Sequence, residues 1–249
     1  MILSDRDILV AMAPGQRLHP DGRLLSVRPA IVIEPFRREA LGPNSYDVHL
    51  GSHLCVYMTN RCGHLDAAEE NNYDMFRIDD DGFVLRPGTI YLAATEEYTE
   101  THEHIPYLDG KSSVGRLGIS VHATAGRGDV GFCNHWTMEI SVVQPVKIYA
   151  GMPIAQLTYH QVLSQPEHKY GTSPRVANYQ GRDPMPQGSR MHKNFEVDRD
   201  GWYRPRGWKP EPRMVWKHDV DGKVTSPPRR MTCVISSCFQ ERDHEGPHD

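Results

Sequence analysis

The sequence predicts an all-β protein built from many short strands, with helices confined to short segments. Its 249 residues include 19 prolines and 21 glycines, a content that favours frequent turns over long helices. Short runs of alternating apolar and polar residues recur from Leu24 to about Tyr159, as expected of strands with one buried face. Turn formers such as Pro87-Gly88 separate these runs.

The elements can be assigned in chain order. A helix is predicted in MILSDRDILVAMAPG, because Ser4 or Asp5 can cap its free N–H groups and Pro14-Gly15 ends it. Strands are then predicted in IVIEP, SYDVHLGSHLCVYM, GFVLRPGTIYLAATEEY and VKIYAGMPIAQLTYHQV. Residues 60–81, which contain the acidic segment LDAAEENNYD, are predicted to form a solvated loop.

Composition changes twice in the C-terminal third of the chain. After Val162 the segment KYGTSPRVANYQGRDPMPQGSR is rich in turn formers and is predicted to be a mobile tail. Beyond Phe195 tryptophans appear among Arg, Lys and Pro, at Trp202, Trp208 and Trp216. We therefore predict a β domain of residues 1–195 and a C-terminal extension of residues 196–249.

Charge and apolar patterning set limits on compartment and partners. The net charge of −4 gives no general attraction to nucleic acid, so a phosphate-bearing ligand needs local cations. The chain has no N-terminal basic-then-apolar segment and no apolar run approaching about 18 residues. The five cysteines, an odd number, argue against a disulfide framework. We expect a soluble cytoplasmic protein with no membrane or nucleic-acid partner.

The segment GKSSVGRLGISVHATAGRGDVGFCNHWTME holds most of the candidate chemistry. Apolar residues alternate on both sides of its glycine-rich corner and predict two hairpin strands, at Ile119, Val121, Ala123 and at Trp136, Met138, Ile140. Glu139 on the second strand is either an outward solvated residue or a base that activates water.

Other side chains of this segment have two interpretations each. Ser112 and Ser113 offer hydroxyls that bind phosphate or steer a water, or they merely cap a turn. Arg116 could orient the carboxylate or neutralise ligand charge. The backbone at Ala125 and Gly126 can approach a flat ligand closely, because glycine has no side chain.

Two known nucleotide motifs are excluded. Gly110-Lys111-Ser112 resembles the end of a P-loop, but Ile105 stands where that motif needs a glycine. The H-x-E and P-C-x-x-C elements of zinc-dependent base deaminases do not occur in this chain. Any deamination here therefore proceeds without that zinc.

The segments GKSSVGRLG and HATAGRGDVGFCNHWTMEI closely resemble the dCTP deaminase branch of the trimeric dUTPase-like superfamily. The supporting matches, in the order found in that family, are SYDVHLG, GFVLRPGTIYLAATEEY, YAGMPIAQL, KYGTSP and NYQG. Together they cover residues 1 to about 195. The resemblance implies a distorted jelly roll or dUTPase-like β-barrel that assembles into a homotrimer, with active sites where subunits meet.

The resemblance also implies a reaction. Members of the family convert dCTP to dUTP and ammonia, with Mg²⁺ on the triphosphate and no catalytic zinc. By position, Glu139 is the general base and acid that activates water for attack on C4 of cytosine. Ser112 and the carbonyl of Ala125 help to hold that water, and Arg116 pairs with the active-site carboxylate. Further residues implied in substrate binding are Lys111, Ser113, Arg127, Asp129, Thr137, Tyr170, Tyr179, Gln180 and Arg182.

The glycine-rich corner departs from the family pattern. Members that only deaminate tend to carry His-Arg after a Thr-Ala pair, whereas members that also cleave the triphosphate tend to carry Gly and an aromatic residue. Here Thr124-Ala125 is followed by Gly126 and Arg127, one feature of each group. Gly128 replaces the usual aliphatic residue, so we expect a loose corner where the base would be bound.

The tail departs as well. Tyr170 and Tyr179 match lid positions, but Asn178 replaces a phosphate-contacting lysine and Arg182 replaces a glutamine. We therefore leave the phosphate count and a modification of the cytosine open. The leading hypothesis is deamination of dCTP to dUTP. The alternatives are a bifunctional deaminase and dUTPase, a dUTP pyrophosphatase that gives dUMP, and a nucleotide-binding regulatory trimer without catalysis.

The C-terminal extension contains four metal-ligand types in a C-x4-C-x5-H-x3-H pattern: Cys233, Cys238, His244 and His248. With few apolar residues the segment cannot fold on burial alone, and a structural Zn²⁺ would supply the missing stability. The alternative is a disordered tail with incidental Cys and His residues.

Overall fold

An eight-stranded antiparallel sheet forms the centre of the computed structural model, which describes residues 1–18, 23–58, 63–122, 125–172, 177–198, 201 and 203–207. The strands are β1 (Gly15–Leu18), β2 (Leu24–Val27), β3 (Ile31–Glu34), β4 (Tyr46–Tyr57), β5 (Tyr73–Arg77), β6 (Phe83–Leu85), β7 (Tyr91–Thr101), β8 (His104–Gly110), β9 (Ile119–Val121), β10 (Cys133–Val142), β11 (Val146–Ile148), β12 (Pro153–Gln161), β13 (Phe195–Val197) and β14 (Tyr203–Pro205). The helices are α1 (Asp5–Met12), α2 (Ser112–Gly115) and two 3₁₀ turns, Arg38–Ala40 and Met191–Asn194.

The main sheet curves into a nearly closed barrel. Its strand order is β8-β12-β4-β7-β10-β9, with β3 added to β7 and β5 added to β4. The two ends of this path approach each other, since a Cβ atom built on Gly110 at the end of β8 would lie 3.9 Å from Cβ of Val121 in β9. A near-closed barrel leaves few unpaired strand edges. The predicted all-β class is confirmed.

The core fills the interior of this barrel with aliphatic and aromatic side chains. The largest fully buried residues come from several strands and from α1, and they include Tyr46, Leu54, Met138, Ile154 and Ile8. Strand β10 contributes every second residue, as the period of two requires, whereas the central strand β7 is buried on both faces along most of its length. The predicted hairpin is part of this core, because Val121 pairs with Ile140 and Ile119 with Val142.

Helix α1 begins as its sequence predicts. The hydroxyl of Ser4 accepts a hydrogen bond from the backbone N–H of Asp7 at 3.3 Å. In return, the Asp7 carboxylate accepts from the backbone N–H of Ser4 at 3.0 Å, which completes a capping box. Ile8 anchors the helix in the core.

One predicted loop contains a strand. Within residues 60–81, predicted as a solvated excursion, β5 pairs with β4 over five residues, and all five are exposed. An edge strand obtains its backbone hydrogen bonds from its neighbour and can leave its side chains in water. The strand residues YDMFR begin at the end of the acidic segment and include Tyr73, Met75 and Phe76, so the prediction of a loop was wrong over Tyr73–Arg77.

The chain separates into two compact units, Met1–Phe195 and Glu196–Asp249. In the described part of the second unit, β13 and β14 pair as a two-stranded sheet. The predicted zinc ligands of the extension, Cys233, Cys238, His244 and His248, lie outside the described residues. Within the described ranges, every helix is too short or too polar to cross a membrane.

Candidate active site

Strand β10 has two different faces, and this difference positions the candidate site. Its even-numbered residues are buried in the core, whereas its odd-numbered residues are half-buried. Thr137 and Glu139 lie on the half-buried face, and Glu139 pairs across the ladder with Leu92 of β7. Because neighbours such as Met138 and Ile140 are locked in the core, the direction of the Glu139 side chain is fixed by the fold.

The carboxylate of Glu139 contacts His122, the residue that follows β9. Oε2 of Glu139 is hydrogen-bonded to Nδ1 of His122. The His122 side chain is 6% exposed and that of Glu139 is 44% exposed. An ionised carboxylate can only accept, so Nδ1 donates in this pair. His122 thus holds one carboxylate oxygen, while the exposed part of Glu139 stays accessible to water.

The backbone of His122 is unusual. Its φ of 51° makes it the non-glycine residue with positive φ among those the structure describes. Such a conformation is uncommon and is often found at functional sites. The imidazole packs edge-on against the Trp136 indole, with 6.4 Å between the two ring centres. Its buried Nε2 has no hydrogen-bond partner among the described groups. His122 was not among the residues predicted from the sequence, because its strained backbone is visible only in the structure.

Glu139 and His122 line a cavity of about 480 Å³ on the half-buried face of β10. This volume suits a small-molecule ligand. Of the residues predicted from sequence, the cavity brings together Glu139, Ala125, Arg127, Asp129, Thr137, Tyr170 and Tyr179. The walls mix aromatic groups with carboxylates and one guanidinium, as a site for a flat, charged ligand requires.

The glycine-rich corner forms a tightly packed wall of this cavity. The carbonyl of Gly126 accepts from the N–H of Leu108 at 2.6 Å, and the N–H of Gly128 donates to the carbonyl of Pro106 at 2.9 Å. A Cβ atom on Gly126 would overlap the Leu108 carbonyl oxygen, and one on Gly128 would lie 2.6 Å from the Trp136 ring. The expectation of a loose corner was wrong, since the missing side chains permit close packing against β8.

The tail after β12 covers one end of the cavity, although it contains no regular element between Gln161 and Met191 in the described residues. The Tyr170 hydroxyl accepts from the N–H of Tyr179 at 2.9 Å, and the Asn134 side chain donates to the Tyr179 carbonyl at 3.0 Å. Further along, the N–H of Gln187 donates to the Thr137 hydroxyl at 3.1 Å. These contacts tie the tail to β10.

A second group of predicted residues lies elsewhere on the chain. Ser112, Ser113 and Arg116 are exposed at α2 and do not line the cavity. The N-cap of α2 is Lys111, which makes no side-chain cap, and neither serine hydroxyl has a hydrogen-bond partner within the described ranges. The Lys111 ammonium pairs with Asp47. The alternative that these serines cap a turn therefore finds no support in the geometry.

Gln180 and Arg182 are placed beside the cavity without lining it. The Gln180 amide accepts from the N–H of Cys133 at 3.3 Å and donates to the Gly131 carbonyl at 3.1 Å. The Arg182 guanidinium lies 4.2 Å from the centre of the Tyr98 ring and pairs with Glu34. Burial raises the pKa of Tyr98 to about 12, so its hydroxyl stays neutral at physiological pH.

Comparison with known proteins agrees with this architecture. The family model for dCTP deaminase-like proteins matches residues 22–162. The dUMP-forming dCTP deaminase of Cytophaga hutchinsonii is 43% identical over 166 residues, which is 67% of this chain and 91% of that protein. The dUMP-forming dCTP deaminase of Hathewaya histolytica is 43% identical over 196 residues, which is 79% of this chain and 100% of that protein.

Among solved structures, 2′-deoxycytidine 5′-triphosphate deaminase from Agrobacterium tumefaciens superposes with a TM-score of 0.47 at 19% identity. That superposition covers 65% of this chain and 48% of the other.

The sequence matches define the class of the protein, an enzyme of pyrimidine nucleotide metabolism. The family model spans more than half of the chain. The two named relatives are each 43% identical to it and match over 91% and 100% of their own lengths. The chain belongs to the dCTP deaminase family, and it is an enzyme of that family. The predicted resemblance to this family is confirmed.

Proposed function

We propose that this enzyme is a bifunctional dCTP deaminase, which removes the amino group of dCTP and then cleaves the triphosphate to release dUMP. The named relatives, matched over 91% and 100% of their lengths, are dUMP-forming. The observation in the structure that supports the same assignment is Gly126, whose position against the Leu108 carbonyl leaves no room for a side chain. A histidine, as in members that only deaminate, would not fit there.

In this proposal Glu139 carries the proton transfers of deamination. The carboxylate takes a proton from a water molecule as the oxygen of that water bonds to C4 of the cytosine. The C4–N3 double bond opens in the same step, and the carboxylate passes that proton to N3. It then moves the proton of the new C4 hydroxyl to the amino nitrogen, the bond from C4 to that nitrogen breaks, ammonia leaves and a C4 carbonyl remains. His122 keeps the carboxylate oriented, and the carbonyl of Ala125, on the cavity wall, accepts from the attacking water.

The second step is hydrolysis at the α-phosphorus. A water oxygen bonds to that phosphorus, the bond to the β-phosphate bridging oxygen breaks, and pyrophosphate leaves with dUMP remaining. Asp129 is an exposed carboxylate on the cavity wall and makes no side-chain bond to described groups. Its hard oxygen donors suit a Mg²⁺ ion held mainly by phosphate and water. Mg²⁺ would neutralise phosphate charge, and Arg127 adds a cation from the protein.

We further propose that Ser112, Ser113 and Arg116 reach this cavity from a neighbouring subunit of a homotrimer. Glu139 is 44% exposed in the isolated chain, so one side of the cavity is open. A dry site strengthens electrostatic interactions with the transition state, and a second chain would provide that closure. The exposed, unpartnered hydroxyls at α2 fit a role in binding phosphate between chains.

Product analysis tests the proposed reaction. The enzyme is incubated with dCTP and Mg²⁺, and ammonia, pyrophosphate and uracil nucleotides are measured together by an enzyme-coupled assay and ion-exchange chromatography. We expect ammonia, pyrophosphate and dUMP in equal amounts. Accumulation of dUTP with ammonia and no pyrophosphate would contradict the proposal and show that the enzyme only deaminates dCTP. Release of pyrophosphate from added dUTP, with no ammonia from dCTP, would also contradict the proposal and show that the enzyme is only a dUTP pyrophosphatase.

A further inference from the structure

A mixed group of metal-ligand side chains lies at the end of β10 remote from Glu139. Among the described residues, Glu100, His102 and Cys133 present ligand atoms that all lie within 4.8 Å of one another. Cys133 is the ladder partner of Glu100, and His102 follows two positions later, just beyond the end of β7, with its Nε2 2.7 Å from Oε2 of Glu100. The fold itself therefore brings the three side chains together.

We propose that Glu100, His102 and Cys133 form a zinc-binding site that is separate from the nucleotide cavity. Thiolate, imidazole and carboxylate are the three side-chain types that Zn²⁺ prefers. Tetrahedral coordination with bonds of about 2.0–2.3 Å places ligand atoms roughly 3.3–3.8 Å apart. Small side-chain rotations would bring the three ligand atoms from their separations of up to 4.8 Å to these distances. The fourth position would be taken by water.

The surroundings of these side chains resemble those of a supported metal site. The Tyr98 hydroxyl donates to Oε1 of Glu100 at 2.9 Å, which leaves Oε2 facing His102 at 2.7 Å. Such an outer contact orients a ligating carboxylate. The backbone of His102 is fixed too, because its N–H donates to Ala30 at 2.8 Å and its carbonyl accepts from Lys169 at 2.6 Å.

Access and charge also fit. The side chains of Glu100 and His102 are 21% and 19% exposed, enough for an ion to enter. Two anionic ligands would balance the charge of Zn²⁺. Burial alone would raise the pKa of Glu100, but hydrogen bonds from His102 and Tyr98 outweigh it and keep that pKa below its ordinary value. Burial, aided by the Glu100 charge, raises the pKa of Cys133, so the metal has to displace the thiol proton.

The site has a structural consequence for the tail. The backbone of Cys133 accepts from the N–H of Gly181 at 3.1 Å, and its N–H donates to Gln180. Glu139 lies six residues along the same strand, about 20 Å away at the usual rise of a strand. A metal here would therefore hold the tail in place at Gln180 and Gly181 without taking part in the chemistry.

Cobalt spectroscopy of the full-length protein tests the site. Cys233→Ser and Cys238→Ser are introduced together as a background, so that thiolates of the extension cannot contribute. Co²⁺ added to this background is expected to give a near-ultraviolet thiolate-to-cobalt charge-transfer band. Cys133→Ser should abolish the band, whereas Cys55→Ala, which removes a buried thiol elsewhere, should keep it. Absence of the band in the background, or its persistence in Cys133→Ser, would overturn the proposal.

Zinc affinity supplies a second measurement with milder substitutions. In competition with a chromophoric chelator, Glu100→Gln and His102→Ala should each weaken Zn²⁺ binding by at least about tenfold. Glu103→Gln, an exposed carboxylate next to His102, serves as the matched control and should leave affinity unchanged. Equal affinity in all variants would overturn the site. Circular dichroism without metal verifies that each variant is folded. These outcomes are independent of the products made from dCTP.

Discussion

Glu139 and His122 are the two side chains whose contact defines the centre of the cavity. Glu139 has an exposed portion that can meet water, whereas His122 is nearly buried and strained. The sequence allowed the first to be assigned through its family pattern. It did not indicate the second, because a positive φ and a packed imidazole depend on where the chain turns after β9. A local conformation of that kind has no pattern in residue types alone.

Replacing Glu139 with Gln should lower the rate of ammonia release by about 10²- to 10⁴-fold, because a neutral amide cannot accept the proton of the attacking water. Binding of dCTP, measured by calorimetry, should change little, since the amide has the same shape. Asp74→Asn, an exposed carboxylate on β5, is the control and should match the parent. A Glu139→Gln enzyme with parental turnover would remove the proposed base.

His122 can be tested with a pair of substitutions that separate strain from contact. Asn tolerates positive φ better than other non-glycine residues, whereas Ala at this φ is strained. Both changes should reduce kcat by about 10- to 100-fold, because each releases the Glu139 carboxylate. Only His122→Ala should also lower the unfolding temperature clearly. Exposed His168→Ala is the control. Full activity in His122→Asn would show that the carboxylate needs no such support.

The predictions of strands were most accurate where burial alternates along the strand. Strand β10 and the first part of β4, from Tyr46 to Leu50, follow a period of two because one face of each enters the core. Strand β5 was missed, since its five residues are all exposed and show no alternation of burial, and its position is set by the ladder with β4. The corner at Gly126 was misjudged for a related reason: the carbonyl of Leu108, which fills the space beside it, belongs to a distant part of the sequence.

Gly126→Ala measures how closely β8 and the corner pack. The added methyl group would collide with the Leu108 carbonyl, so the hydrogen bond between these residues must break or shift. We expect a loss of about 1–3 kcal/mol in unfolding free energy, which is typical of overpacking, together with reduced turnover. Urea denaturation checks the first and ammonia release the second. Gly15→Ala on β1 meets only ordinary contacts and should be close to neutral.

The family resemblance predicted features of the assembled molecule, such as a trimer, that the structure of a single chain does not contain. The β-barrel and the enzyme family were predicted and are confirmed. The trimer remains a prediction, and so does the role of Ser112 and Arg116, which lie outside their own chain's cavity. No pattern within a single sequence gives the distance between residues of two copies, because that distance depends on how the copies pack.

Mixing two inactive variants tests the shared site directly. Glu139→Gln and Arg116→Ala chains are each expected to be inactive, but in a mixed trimer some cavities combine an intact Glu139 with an intact Arg116 from the neighbour. Unfolding and refolding equal amounts together should restore about a quarter of parental activity, as random assembly of a symmetric trimer predicts. Light scattering verifies the trimer. No restored activity in mixed trimers would place all catalytic groups within one chain.

The alternation along β10 links catalysis to folding in a way that substitutions alone do not reveal. Adding or deleting one residue between Asn134 and Glu139 would reverse the parity of every later position in the strand. The acid would then turn inward among hydrocarbon while Met138 and Ile140 moved toward the ligand. Homologous sequences should accordingly keep this interval free of single-residue insertions and deletions, however freely they exchange one apolar side chain for another.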